Sequence, residues 1–213
     1  MKKNTYYLPG LILACLCSFV FQNEPFQPMK DIAGFKAKLT QTNQSVTTMT
    51  CGFVQEKQLS FMAEKVLSRG NMSYKKPDMM KLEYTHPFQY IMSLSKGKVY
   101  IKDNGKVSKF DTKTNALFTY INDLMMQSVQ GTVLENKNFS IAYKESDKQY
   151  LIEMTPVDAA MKDYISKVKI YIAKTDYKVV KVDMMEKSGD YTIITFTNRI
   201  YNSVLTDESF IIR

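Results

Sequence analysis

The sequence is short of the residues that most often carry catalysis or cross-links. Its single histidine, His86, precedes Pro87 in a turn, a setting that reads as structural. No Cys/His pair, His-rich metal cluster, G-x-S-x-G elbow or glycine-rich phosphate loop is found along the chain. Carboxylates such as Glu83 and Glu153 are available as a pair, but nothing in the sequence selects them. Enzymatic activity, a metal and a cofactor are therefore not expected. Cysteine is equally scarce: Cys15 and Cys17 fall in an apolar run near the N-terminus, which leaves Cys51 alone in the rest of the chain. That excludes an intramolecular disulfide there and argues against a conventional zinc site, so stability must come from a packed core.

A long apolar run is also lacking. Residues 8–21 are mostly apolar but carry Pro9 and Gly10, and they fall short of the about 20 apolar residues that a bilayer span needs. Lys2 and Lys3 before the run, and Gln22-Asn23-Glu24-Pro25 after it, give it the grammar of a secretory signal. Residues 1–22 are accordingly set apart from one domain at 23–213. A second reading takes Ile12-Leu13-Ala14-Cys15 as the small-residue-before-cysteine pattern of a bacterial lipoprotein. It would leave Leu16, Phe19, Val20 and Phe21 as an apolar start to the mature chain, so soluble export is preferred over lipid anchoring at Cys15.

What remains, roughly 190 residues, is enough for one domain with a sizeable interior. With 45% apolar residues and 12% aromatics, disorder is excluded. The formal net charge is +8 and stays positive without Lys2 and Lys3. Either this surface steers the protein toward acidic partners or it is an ordinary solvated lysine face, the preferred reading. The lysines are spread along the chain and no nucleic-acid module is present, so no nucleic-acid partner is expected.

Apolar residues Ile32, Phe35 and Leu39 recur at helical spacing, which predicts an amphipathic helix over 28–41. A Ser/Thr-rich connector, 44–50, follows, and then the period changes to two. Strands are predicted at 53–59, 65–75, 81–84, 90–94, 99–102, 107–110, 139–143, 150–154, 165–172, 178–185 and 191–201. Pro77 and Pro87 break ladders. Asn104-Gly105 is a two-residue hairpin signal, and Lys148-Gln149, Asp176-Tyr177 and Ser188-Gly189-Asp190 supply further turns. Between Asn115 and Gln127, Leu117, Ile121, Leu124 and Met125 fall on one helical stripe. About eleven strands with two helical segments predict a mainly β fold, a large and strongly curved antiparallel sheet.

Four pieces in order carry a resemblance. They are Phe53-Val54-Gln55-Glu56-Lys57, Gly70-Asn71-Met72-Ser73-Tyr74-Lys75-Lys76-Pro77-Asp78, Lys81-Leu82-Glu83-Tyr84-Thr85-His86-Pro87, and Ser95-Lys96-Gly97-Lys98 before an apolar strand. Together they resemble the periplasmic outer-membrane lipoprotein carriers, the LolA-like family. A tail pattern agrees: Thr155-Pro156 at a strand end, and Asp207-Glu208-Ser209-Phe210 leading into a last strand. The resemblance implies an incomplete antiparallel β-barrel whose open side is covered by helices acting as a lid. It also implies a carrier that binds lipoprotein acyl chains in an apolar cavity and moves them through the periplasm from inner to outer membrane. An inner-membrane release complex, an outer-membrane acceptor and a monomeric carrier go with it. In that family an arginine before the Pro of the second motif latches the lid to helix-loop backbone groups. Lys76 stands there, a flexible point charge in place of a planar fork.

An acyl-chain carrier needs an apolar space without fixed shape, and methionine, of which the chain has 14, supplies one. Alternation points Met72, Tyr74, Met80, Leu82, Tyr84, Tyr90, Met92, Leu94, Ile170, Ile172, Val182, Met184, Ile194 and Phe196 inward as cavity lining, with Met125 and Met154 among the inward methionines. Two readings stand for each: core filler, or the wall of a pocket. Tyr84 and Tyr90 either line its mouth or pack strands. The Leu117, Ile121, Leu124, Met125 stripe either plugs the barrel or forms the lid, the resemblance favouring the lid with Lys76 as its latch. The alternatives are a membrane-anchored lipoprotein receptor or lipid-sensing envelope protein on the same half-barrel, and a carrier of another lipid.

Overall fold

The computed structural model describes residues 25–95, 97–111, 119, 123, 126–127 and 132–212. A twelve-stranded antiparallel sheet dominates it. In chain order the strands are β1 (Gln27–Pro28), β2 (Thr48–Gln58), β3 (Val66–Lys75), β4 (Met79–His86), β5 (Tyr90–Ser95), β6 (Lys98–Asp103), β7 (Lys106–Asp111), β8 (Phe139–Glu145), β9 (Gln149–Pro156), β10 (Ile165–Ala173), β11 (Val179–Glu186) and β12 (Tyr191–Tyr201). Their order across the sheet is β1-β8-β9-β10-β11-β12-β2-β3-β4-β5-β6-β7. Two meanders, β2 to β7 and β8 to β12, are thus joined where β12 pairs with β2.

The eleven strands read from alternation are all present, and the N-terminal start of β2, an added strand and the C-terminal tail depart from expectation. First, β2 begins at Thr48, inside the stretch expected to be a connector, because Thr48, Met49 and Thr50 pair with Lys75, Tyr74 and Ser73. Second, Gln27–Pro28 forms the additional strand β1 against Glu145 and Lys144. The helix α1 (Ile32–Gln44) therefore starts later than expected, with the Asp31 carboxylate accepting from the Gly34 amide at 2.8 Å as N-cap. Its buried face is Phe35, Leu39 and Asn43, whereas Ile32 is exposed. Third, Asp207–Phe210 is a 3-10 turn, and no strand follows it among the described residues. The 202–212 tail instead crosses the opposite face of the sheet. There the Ser203 and Leu205 carbonyls accept from the Thr48 hydroxyl and the Lys75 ammonium, and the Phe210 carbonyl accepts from Ser93 at 2.6 Å.

Turn chemistry explains the meander. Asn104 and Gly105 both take positive φ, 47° and 79°, as a two-residue hairpin turn with right-handed twist requires. Tyr177 and Gly189 also turn with positive φ. Gly70 is needed for a different reason: a Cβ there would collide with the Glu83 carbonyl and with the Phe53 ring, which lies over it. A one-turn helix, α2 (Ala159–Lys162), links β9 to β10.

Candidate functional site

The side chains that alternate inward form two buried clusters on one face of the sheet. The first gathers Phe139, Ile152, Met154, Ile165, Val168, Ile170 and Ile172 of β8 to β10 under Phe35 and Leu39 of α1. The second gathers Met49, Cys51, Phe53, Met72, Tyr74, Met80, Leu82, Leu94 and Val99 of β2 to β6, with Met126 over them.

Strand register arranges these residues as rows. Met49, Tyr74, Met80, Leu94 and Val99 are successive cross-strand partners, and Cys51, Met72, Leu82, Met92 and Ile101 form the next row. A third row runs Phe196, Phe53, Gly70, Tyr84, Tyr90. In the other meander Ile152, Ile170, Val182 and Ile194 lie in one row, and Met154, Val168 and Met184 in another. Ile172 sits between Tyr150 and Val179. Every residue expected from alternation to point inward along the described strands is therefore on this one face. All of them belong to or pack against the two clusters except Tyr90, which stands at the rim with its ring 5.7 Å from Tyr84.

Burial falls off along the rows. The Met49 to Val99 row is buried throughout, whereas Met92, Ile101, Tyr84 and Tyr90 are only half-buried. At that end Ser68, Tyr84, His86, Phe88, Tyr90 and Asp103 line a cleft of about 430 Å³. Tyr84 is fixed by two neighbours: its ring meets Phe53 edge-on at 5.0 Å, and its hydroxyl donates to Gln55 at 3.0 Å. Burial pushes its phenol up to about 12, so it remains a neutral hydrogen-bonding group. Burial likewise pushes the Cys51 thiol up to about 12, which leaves it an unreactive apolar filler. Glu83 and Glu153 are not brought together: Glu83 pairs with Lys81 on β4 and Glu153 with Lys144 in the other meander. Among the described residues no group of three His, Cys, Asp or Glu side chains could hold a metal ion.

Leu117, Ile121, Leu124 and Met125 lie outside the described residues. Thr119, Asp123, Met126 and Gln127 of that segment are helical. Lys76 donates to the carbonyls of Gln44 at 3.0 Å and Asn43 at 3.3 Å, at the C-terminal end of α1. Sequence reasoning missed a second lysine there. Lys178 donates to the Thr42 carbonyl at 3.0 Å and the Asn43 side-chain oxygen at 3.1 Å. The available signal concerned the acceptor: Asn43 continues the Phe35, Leu39 stripe one turn on, while parity misleads for Lys178 because a bulge puts Val179 opposite the inward Ile172.

Among the described residues the site is thus an open antiparallel sheet with one apolar face and a helix across part of it. The family model for outer membrane lipoprotein carrier protein LolA matches residues 44–213, and the chain belongs to that family of extracytoplasmic carrier and binding proteins. Similar solved structures include a LolA superfamily protein from Nitrosomonas europaea, 11% identical over 84% of this chain and 96% of that one, with a TM-score of 0.44. The Pseudomonas aeruginosa MucA/MucB complex gives 9% identity over 84% and 60%, with a TM-score of 0.48. Mycobacterium tuberculosis lipoprotein LppX gives 10% over 83% and 100%, with a TM-score of 0.43. No curated protein sequence matches this one significantly.

Proposed function

We propose that this chain is a periplasmic carrier, exported by its 1–22 segment, that holds lipoprotein acyl chains against its inner face and takes them from the inner to the outer membrane. The observation that carries this reading is the gradient on the inner face: apolar rows fully buried at one end become half-buried at Met92, Ile101, Tyr84 and Tyr90 beside an open cleft. Each methylene moved from water to such a surface gains about 0.8 kcal/mol, so affinity is easily had and release is the harder task. Methionine helps with both, because it repacks around chains of any shape. Lys76 fits the role of the family's arginine latch, since its ammonium reaches the carbonyls ending α1. A single point charge holds less rigidly than a bidentate fork. Leu117, Ile121, Leu124 and Met125 complete the lid in this reading. Loading by an inner-membrane complex, delivery to an outer-membrane acceptor and a monomeric state follow from it, and no catalytic step is required.

The test is native mass spectrometry of the mature protein incubated with a triacylated lipoprotein, using the non-lipidated form as control. A one-to-one complex with the lipidated form alone is expected. Binding of both forms, or of neither, would sink the reading.

A further inference from the structure

The end of α1 is gripped from two sides, and only one grip falls at the family's latch position. We propose that Lys178 is a second latch, a positioning residue that with Lys76 ties the C-terminal end of α1 to both halves of the sheet. Its consequence for ligand entry rests on the carrier reading above; its hold on the helix does not.

Topology gives the first argument. Lys76 follows β3, in the meander of β2 to β7, and Lys178 precedes β11, in the other one. Their acceptors are nonetheless consecutive: the Thr42 carbonyl and Asn43 side chain for Lys178, the Asn43 and Gln44 carbonyls for Lys76. The last carbonyls of a helix have no partner within it and carry the negative end of its dipole, so they suit cations. The Asn43 side chain is oriented for its part, because its amide donates to the Leu39 carbonyl at 2.9 Å and so turns its oxygen to the ammonium.

Burial gives the second argument. Lys178 is 8% exposed, with its ammonium 4.9 Å from the centre of the Tyr201 ring. A lysine is rarely buried so far without partners. Its hydrogen-bond acceptors among the described residues are a backbone carbonyl and a carboxamide, both belonging to α1. The nearby Asp176 carboxylate attracts Lys178 but is itself engaged by Arg199 at 3.3 Å, and Lys76 and Arg199 add like charge around Lys178. The ammonium therefore depends on the helix for its acceptors, and it adds to the Ser45 hydroxyl, which donates to the Thr42 carbonyl at 3.0 Å, and the Val46 amide, which donates to the Asn43 carbonyl at 3.1 Å. With no carboxylate hydrogen-bonded to it among the described residues, this latch gives way when water replaces α1. Repulsion between Lys76 and Lys178 favours that release.

The experiment is hydrogen exchange read by mass spectrometry on the full mature chain and on K178M, K76M, K178R and the double variant K76M/K178M. Methionine keeps the stem and loses the donors; K178Q replaces it should K178M not fold. Either single lysine removal is expected to speed exchange of the amides at 40–46 roughly ten- to hundredfold, with β9 and β10 unchanged and K178R close to the parent. The double variant should fall short of the product of the singles, because each removal relieves the other lysine. Unchanged exchange in α1, or an equal acceleration across the sheet, would overturn the second latch. Uptake of a fluorescent long-chain fatty acid by the same variants separates the two ideas. Local loosening with faster uptake supports both, and local loosening with no uptake supports the latch while counting against the carrier reading.

Discussion

The two meanders are built on the same alternation but finish differently. Under α1, Ile152, Met154, Val168 and Ile170 have no exposed surface, and Phe35 wedges among Tyr143, Tyr150 and Tyr177 with ring centroids 4.6 to 6.4 Å away. That half is rich in β-branched residues, stiff about χ1, and is packed as an ordinary core. Its counterpart carries Met49, Met72, Met80, Met92 and Met126 and opens toward Tyr84 and Tyr90. A sheet folded from one pattern thus supplies a fixed scaffold on one side and an adaptable surface on the other. Methionine occurs in both, as Met29, Met154, Met161 and Met184 show in the first; what separates the two is the β-branched set of Ile152, Ile165, Val168, Ile170 and Ile172 under the helix.

The largest expected effect breaks this contrast at its rigid side. Ile152→Ala removes a fully buried side chain from beneath α1 and should cost about 2–5 kcal/mol, measured by urea denaturation followed by far-ultraviolet circular dichroism. Met92→Ala, half-buried and beside the cleft, should cost less than about 2 kcal/mol while weakening binding of the lipidated probe. Equal losses from the two truncations would erase the distinction between scaffold and adaptable surface. Gly70→Ala comes next. Its new Cβ meets the Glu83 carbonyl and the Phe53 ring, an overpacking expected to cost about 1–3 kcal/mol and to disturb the Phe53, Tyr84, Tyr90 row. Shrinking Phe53 to Leu in the same chain is expected to restore only part of the loss, because it relieves the ring contact and leaves the Glu83 carbonyl in place.

Much of this was legible beforehand, and the reasons are local. Period-two alternation placed every strand but β1 and told inward from outward, because a one-residue slip would turn every apolar side chain to water. Asn104-Gly105 fixed a hairpin outright. The start of β2 was hidden because Thr48, Met49 and Thr50 have the composition of a connector and become a strand only by pairing with β3. Ile32 fits a helical stripe by spacing yet faces solvent at the first turn of α1, where the buried stripe of Phe35, Leu39 and Asn43 has not yet begun. Lys178 was unreadable as a helix anchor because its acceptors lie far away in sequence, at Thr42 and Asn43. Long-range pairing of a cation with backbone carbonyls leaves no pattern in composition.

Acidification offers the gentlest probe of the same contrast. On β9, Glu153 accepts from Lys144 at 2.6 Å, and Glu145 of β8 pairs with Lys174 at 2.6 Å and accepts from the Lys30 amide at 2.9 Å. These hydrogen bonds, the ones from Lys144 and Lys174 foremost, hold both carboxyls below the usual carboxylate range. A carboxyl whose pKa is depressed on folding contributes stability that is present above its unfolded pKa, about 4.3 for glutamate, and lost as pH falls through the folded value. Both groups sit in the meander under α1, so acid should loosen the scaffold half before the adaptable one. Exposed pairs of this kind are worth about 0–1 kcal/mol each, so the effect is small at neutral pH and shows as slope. Hydrogen exchange across a titration from about pH 6 to pH 3, corrected for the intrinsic rate, should show protection in β8 and β9 falling ahead of β3 and β4. E153Q should flatten that fall. A parallel loss in both halves would mean that the sheet opens as one unit, with its covered and uncovered sides sharing a single stability.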